Sequence, residues 1–539
     1  MTAPEDQSRL HSFLTKLAFA TVSLLAFWRI AVVFGPGSDH TMFTFDSAFP
    51  VLMSNDNRSI TLFDYYSYNR DRWGSLPFLL ARVVHLSTGY FWSPESMHLY
   101  RAIWLFSGLL IMTSLAVRAR LLLLVSALIA ICLPSITRTN MFDLSELYPW
   151  QIPGLFLTWY TIRQLFAAKL EDSTTRLTTL KRGLWCFALF SVSFLTVWIS
   201  VASGPLLSFL LLLEVFWAFL KADRKDDSTW RTARYVIALV VLVVGVLSET
   251  VLRMYYHRYC LQHYGSENRT PMTLDVGHLR QNLVAQLHAY SSFSRRPLII
   301  LSCILLTVVA IFLVYFFWRV CSAQQRTVFA GSIGELWIFV VGLTGMGLIN
   351  FVMAVSIEHV RLNFFANRYL TLTFVFVVMS NLLTLFLVFR RLLQRTRLSI
   401  YYASAFTLAL TLFLLVRFPT PSARRHYLIE KESAAVLAEK APRAVLMGRS
   451  WTTYNIAGLQ GPKAMLALPE EGEDVRMPWT PAMLADAKQV VLEYRHSTLA
   501  TSGAAPTTIN QYGNTFRLVD PNFYANESYA FALYVNAKN

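Results

Sequence analysis

A chain of 539 residues that is 55% hydrophobic and 15% charged, with a mean hydropathy of +0.43, is not an ordinary soluble protein; about a quarter of such a protein would be charged. The net charge of +16 does not indicate a nucleic-acid partner, because much of the Arg and Lys falls in short links between apolar runs, the bias of cytoplasmic loops in membrane proteins. Of the cysteines, Cys132, Cys186 and Cys303 lie in apolar runs, Cys321 follows one and only Cys260 falls outside, which excludes a disulfide framework and a cysteine metal site.

In chain order, the apolar runs predict eleven spanning helices at about 14–34, 100–117, 119–135, 150–167, 183–201, 204–221, 235–252, 298–319, 335–356, 369–389 and 399–417. Each approaches the roughly 20 residues that cross a ~30 Å hydrocarbon core. The first lacks an A-x-A-like cleavage site and is expected to be a retained helix, not a signal peptide. With the N-terminus in the cytoplasm, every second link is internal. Those links, "VRAR", "RQLFAAKLEDSTTRLTTLKRG", "KADRKDDSTWRTAR", "WRVCSAQQR" and "RRLLQRTR", are all basic. The expected architecture is an all-α polytopic membrane domain, 1–417, followed by an extracytoplasmic domain, 418–539. A bacterial inner membrane fits the compact loops, with the endoplasmic reticulum as the alternative.

The first external loop, 35–99, carries "TMFTFDSAFPVLMSND" and then "FDYYSYNRDRWG". Asp46 sits among Phe43, Phe45, Phe49 and Pro50. One reading makes it the N-cap of a short helix over 47–53. The other makes it a general base at the membrane surface, its proton affinity raised by aromatic surroundings. Further on, "SLPFLLARVVHLSTGYFW" is apolar but holds Arg82 and His85, which share a narrow helical face with Ser75 and Gly89. It is read as a helix lying in the outer interface, not as a span.

Arg101 opens the second span, where it either snorkels or meets a phosphate. Asp143 and Glu146 in "FDLSELYPW" are three apart, as helix caps or as a second acidic pair or metal-ligand set. Glu214 and Glu249 are acids within spans and functional suspects by default, with no evident chain of partners. His257, His263, His278 and His288 in the fourth external loop, 253–296, lack zinc spacing. The last external loop, "IEHVRLNFFANRYL", places Glu358, His359, Arg361 and Arg368 near a helix mouth. They form either a headgroup belt or, at Arg368, a binding point for a lipid phosphate, which guanidinium suits through forked hydrogen bonds.

In the tail, "HYLIEKESAAVLAEK" reads as a helix and "AVLMGR", "AMLALP", "QVVLEYR" and "FALYVNA" as strands. This predicts a small α/β domain without a glycine-rich phosphate fingerprint, a structural or acceptor-docking cap.

The order of these features resembles the polytopic C-type (GT-C) glycosyltransferases, nearest the protein O-mannosyltransferase and lipid A aminoarabinose transferase branch. Asp46 in "FDSAF" matches the family's early "D-E-A" acid, with Ser47 in place of the second acid. "DRWGSLPFLLARV" stands where the family has "H-P-P-L-Y-Y-L-L", keeping Pro77 without the histidine; "LYRAIWLFSG" is similar to "L-R-L-P-S", and "NRYLTLTFVFV" to "R-Y-L-L-P". The resemblance covers about 14–160 and 357–390 in detail and the rest in layout. It implies a polyprenyl-phosphate sugar donor, a glycan, lipid or protein hydroxyl as acceptor, and a bilayer setting. It places Arg368, Tyr369 and Arg101 at the donor phosphate and Asp46 as base. Tyr65, Tyr66, Tyr68 and Trp73 are expected to form a sugar platform, with Asp143 and Glu358 near the substrate. No cofactor is required; a divalent cation would take Asp46 and Asp143 as ligands. The rival class is a non-enzymatic relative that binds, transports or assembles polyprenyl-linked glycans; the absence of a clear internal repeat weighs against a transporter.

Overall fold

A computed structural model describes residues 45–67, 70–115, 120–132, 147–167, 176–221, 228–264, 276–293, 335–357 and 367–393, part of 13–28 and, with short gaps, 425–538. The expected spans at 298–319 and 399–417 lie outside the described residues. The chain is mostly helical, with a sheet domain at the C-terminus.

The first loop folds as α1 (Phe45–Ser54), a 3₁₀ turn (Leu62–Tyr65), an antiparallel hairpin of β1 (Tyr66–Ser67) and β2 (Arg70–Gly74), and α2 (Leu76–Thr88). A helical array follows: α3 (Pro94–Ser114), α4 (Arg120–Cys132), α5 (Tyr148–Ala167), α6 (Arg176–Ile199), α7 (Ser203–Lys221), α8 (Ser228–Tyr264), α9 (Leu279–Phe293), α10 (Glu335–Ser356) and α11 (Thr371–Leu393), the last entered through a 3₁₀ turn (Asn367–Leu370). Among these, α5 packs on α3, α6 and α7, while α10 joins α7 to α11.

Three helical stretches among the described residues, Leu180–Ile199, Tyr235–Tyr264 and Ile338–Ser356, are long and apolar enough to cross a membrane. The first two present large apolar side chains outward, with Phe187 68% and Leu247 55% exposed, a pattern that suits hydrocarbon rather than water; the third is largely buried against its neighbours. The polar exceptions are paired inside. Glu214 of α7 accepts from Trp159 Nε1 (2.5 Å) and Arg163 Nε (2.6 Å), and Arg163 also donates to the Leu115 carbonyl (2.8 Å). These bonds tie α5 to α7 and to the end of α3. A buried acid that lacked an evident partner in the sequence therefore has one on a neighbouring helix.

The seventh expected span, 235–252, belongs to a longer element. Helix α8 has 37 residues, about 55 Å at 1.5 Å per residue, and the sequence through "RMYYHRYCLQHY" offers no Gly or Pro to stop it. Its last turns, expected to be loop, bury Tyr256, His257 and Cys260 on one face and receive the loop that follows α1.

The C-terminal domain is α12 (Arg425–Lys440), β3 (Val445–Gly448), α13 (Ser450–Leu459), β4 (Leu466–Pro469), β5 (Gln489–Glu493), β6 (Thr508–Gln511), β7 (Asn514–Ala525) and β8 (Ala530–Asn536). The strands lie in the order β4-β3-β5-β8-β7-β6, the first three parallel and the rest antiparallel. Both faces of the parallel part are buried, as expected for such strands: Leu446 and Val491 contribute to the cluster that includes α12 residues, and Met447 and Val490 to the opposite one. The hairpin β6–β7 was not among the expected strands. It turns on Tyr512 (φ 49°) and Gly513 (φ 72°), a two-residue loop with both central residues at positive φ.

Candidate active site

Asp46 falls in the first turn of α1 rather than at its N-cap, because the helix begins at Phe45. Four residues on, Pro50 has no amide hydrogen to give the Asp46 carbonyl. The side chain of Asp46 lies outside the described residues. What surrounds its helix is clear. Ser47, Ala48, Phe49, Val51, Met53 and Ser54 are all buried, because α1 is covered by α2, by α3 and by α13 of the C-terminal domain. The rings of Phe49 and Tyr454 meet at 5.0 Å. The helix bearing the loop's early acid is thus enclosed at the seam between the two domains.

Charges hold the loop in this place. Arg82 on α2 is wholly buried; its guanidinium lies 3.0 Å from Asp64 and 3.7 Å from Asp56, donates to the Asp56 carbonyl (2.9 Å) and also reaches the Arg58 carbonyl. Arg58 in turn grips Asp56 (2.6 Å) and Asp64 (3.3 Å). Asp64 also accepts from the Thr61 amide (2.8 Å) at the start of the 3₁₀ turn. Asn55 fastens the far end by exchanging two 2.8 Å bonds with the Trp92 backbone. While Arg82 faces in, Leu80, Val83, Val84 and Leu86 of α2 face out, the arrangement required of a helix lying in an interface.

Of the three tyrosines expected to offer a sugar platform, Tyr68 lies outside the described residues, and Tyr65 and Tyr66 are packed into the fold. Tyr66 is wholly buried; its phenol donates to Glu249 and accepts from Arg253 Nε (3.0 Å), and Arg253 also bonds Glu249 (2.8 Å). Burial pushes the Tyr66 phenol up, against the opposing pull of Arg253, so it remains a donor. The Tyr65 ring stacks on Trp198 at 4.5 Å, and Trp198 Nε1 donates to the Tyr65 carbonyl (2.6 Å). Neither ring has an open face, and both serve to anchor the loop on α6 and α8. Trp73 lies on β2, with its side chain outside the described residues.

Next to Trp73, Gly74 is seated so close to α6 that an added Cβ would lie 1.7 Å from the Trp198 carbonyl oxygen. Backbone cannot yield that far, so Gly74→Ala is expected to lift the hairpin and cost about 1–3 kcal/mol or more, as overpacking does. A thermal melt of the solubilised protein reads this; an unchanged midpoint would contradict the seating.

Arg101 does not snorkel. It is 2% exposed on α3, a helix that packs on α1. Close by on the same helix, Tyr100 and Trp104 surround Trp150 with ring centroids 5.5 and 5.9 Å away, and Trp150 Nε1 is buried without a hydrogen-bond partner among the described residues. Arg101 is thus an interior guanidinium on a helix that packs against the helix of Asp46.

Arg368 and Tyr369 lie on the 3₁₀ turn that leads into α11. Asn350 of α10 fixes that turn by donating to the Tyr369 carbonyl (3.2 Å) and to Thr373 Oγ1 (2.9 Å). The Arg368 side chain, and Asp143 and Glu358 entirely, lie outside the described residues. Among the described residues no three His, Cys, Asp or Glu side chains come together as a cation site.

The C-terminal domain is latched at a second point. Glu95, at the start of α3, accepts from Lys431 Nζ (2.7 Å) and Tyr427 Oη (3.0 Å) of α12. Burial works to raise this carboxyl, but the Lys431 bond and charge outweigh it and hold it at about 2, from an ordinary 4.5. A depressed carboxyl contributes stability that is present above pH 4.5 and lost as pH falls toward 2. Because Glu95 and Lys431 are half exposed, the effect is small, below about 1 kcal/mol. The difference in melting temperature between wild type and Glu95→Gln is expected to shrink over that window; a difference independent of pH would refute the latch.

No protein-family model and no curated protein matches this chain. Solved structures do align with it. Lipid A aminoarabinose transferase ArnT from Cupriavidus metallidurans, bound to undecaprenyl phosphate, is 11% identical, with 96% of this chain and 97% of that one covered and a TM-score of 0.48. The same protein in the apo state gives 12%, 97%, 98% and 0.48. The oligosaccharyltransferase AglB from Archaeoglobus fulgidus, with an inhibitory peptide and a dolichol-phosphate, gives 13%, 90%, 70% and 0.41. Likenesses of this degree fix neither activity nor substrate, and the functional reading rests on the chain's own residues.

Proposed function

We propose that this protein is a membrane glycosyltransferase that moves a sugar from a polyprenyl-phosphate donor to a hydroxyl acceptor on the extracytoplasmic side. The observation that carries the reading is the enclosure of α1. The helix of Asp46 is buried between the first loop, α3 with its interior Arg101, and α13 of the C-terminal domain. The enclosure of the helix that bears it supports the reading of Asp46 as the base.

In this reading the lipid-linked sugar enters laterally between helices, its phosphate met by Arg368 and Arg101. Asp46 takes the proton of the acceptor hydroxyl. The oxygen attacks the anomeric carbon as the bond to the phosphate breaks, in one displacement with inversion, and the arginines stabilise the departing lipid phosphate. Glycan, lipid and protein hydroxyls all satisfy this chemistry.

The test is incubation of the purified protein in lipid discs with a panel of polyprenyl-phosphate sugars and hydroxyl acceptors. The expected product carries the anomeric configuration opposite to that of the donor. Retention of configuration would contradict the single displacement. Binding of the lipids without consumption of any sugar would favour the non-enzymatic relative.

A further inference from the structure

Helix α9 is amphipathic in the sense that suits a lipid interface. Leu279, Leu283, Val284 and Leu287 are exposed, whereas Asn282 and Gln286, one turn apart, are buried. Its neighbours are the outer part of α10 and the 3₁₀ turn of Arg368 and Tyr369. Asn282 explains its own burial in part by donating to the Val355 carbonyl near the end of α10 (3.0 Å). Gln286 does not: it is 0% exposed, and among the described residues neither its Nε2 nor its Oε1 has a hydrogen-bond partner. Buried amides with both ends unpaired are rare in native proteins, and each calls for a partner or an explanation.

The two ends of the amide constrain the ligand. Nε2 needs an acceptor and Oε1 needs a donor. A phosphodiester accepts only, and would leave Oε1 unpaired; a polyprenyl chain does neither. A hydroxyl does both. We propose that Gln286 binds hydroxyl groups of the sugar on the lipid-linked donor, beside the turn proposed to meet its phosphate. The assignment rests on the transferase reading. Gln286 is wholly covered in this structure, so the assignment requires α9 to move outward to admit the sugar. Gln286 is then a specificity residue that distinguishes a sugar-bearing lipid phosphate from a bare one.

The experiment measures binding of a polyprenyl-phosphate sugar and of bare polyprenyl phosphate to the full chain in lipid discs, for wild type and Gln286→Met, with the melting temperature of each. Methionine keeps the length and removes both polar ends. The expected result is about a 10-fold loss of affinity for the sugar-bearing lipid, the size of a lost hydrogen-bonded contact. Affinity for the bare lipid should be unchanged, with a melting temperature equal to or above wild type. Equal weakening toward both lipids, or a lower melting temperature with both affinities reduced, would assign Gln286 a structural role and overturn the proposal. Unchanged binding of both lipids by Q286M would overturn it while leaving the transferase reading intact. Wild-type protein that bound neither lipid would overturn the transferase reading, and this assignment with it.

Discussion

Asp46→Asn is expected to lower the rate of sugar transfer by about 10²–10⁴, the range supplied by a positioned general base, with donor affinity unchanged. Asparagine has nearly the shape of aspartate, so α1 should keep its place between α2, α3 and α13. It cannot accept a proton from an incoming hydroxyl. No second carboxylate on α1 can substitute, because Asp46 is the only acid among its ten residues and the next position is Ser47, buried at 1% exposure. If Asp46 served only as a first-turn anion beside the helix dipole, its loss would change stability by about 0.3–1 kcal/mol and leave the rate alone. Steady-state turnover and lipid binding, measured on the same preparation, separate the two cases.

Arg82→Met is expected to destabilise the segment from α1 to α2 by about 3–5 kcal/mol, the cost of removing one partner from a buried ion pair. The reason is what remains. Asp64 is 0% exposed, and without Arg82 its nearest cation among the described residues is Arg58 at 3.3 Å, which is already bonded to Asp56. The carbonyls of Asp56 and Arg58 also lose their donor. A lower melting temperature and faster proteolysis within 55–75 should follow. The double variant Arg82→Met, Asp64→Asn is expected to recover part of the loss, since it leaves less charge to bury. Additive losses in the double variant would contradict the pairing, as would an unaltered melting temperature in the single one.

What the sequence disclosed depended on the range of the interaction. Hydrophobic runs and basic links are local, and they located α3 to α7, α10, α11, helix α12 and four of the C-terminal strands. Arg82 was legible as an anomaly, a charge in an apolar helix, but its partners Asp56 and Asp64 lie 26 and 18 residues back in the chain, and no periodicity links them. Glu214 and Glu249 likewise stood without partners because Arg163 and Tyr66 come from other elements; Arg253, four residues after Glu249 on the same helix, was the pairing that spacing offered. Tyr65 and Tyr66 carried the composition of a sugar platform, yet Trp198 and Glu249, more than a hundred residues away, turn them into anchors. Hairpin β6–β7 escaped because Tyr-Gly, not Asn-Gly, makes its turn. The seam at α1 has no local signature, since α13, which closes it, begins about four hundred residues later.

The most direct measurement is the release of polyprenyl phosphate from a saturating lipid-linked sugar, followed over time in lipid discs for wild type and Asp46→Asn with an acceptor present. The account predicts steady release by wild type and almost none by D46N, with both proteins binding the donor equally. Equal release by the two would remove Asp46 from the chemistry. Equal binding with no release by either, across donors and acceptors, would make this chain a binder of lipid-linked sugars and contradict the claim that it transfers them.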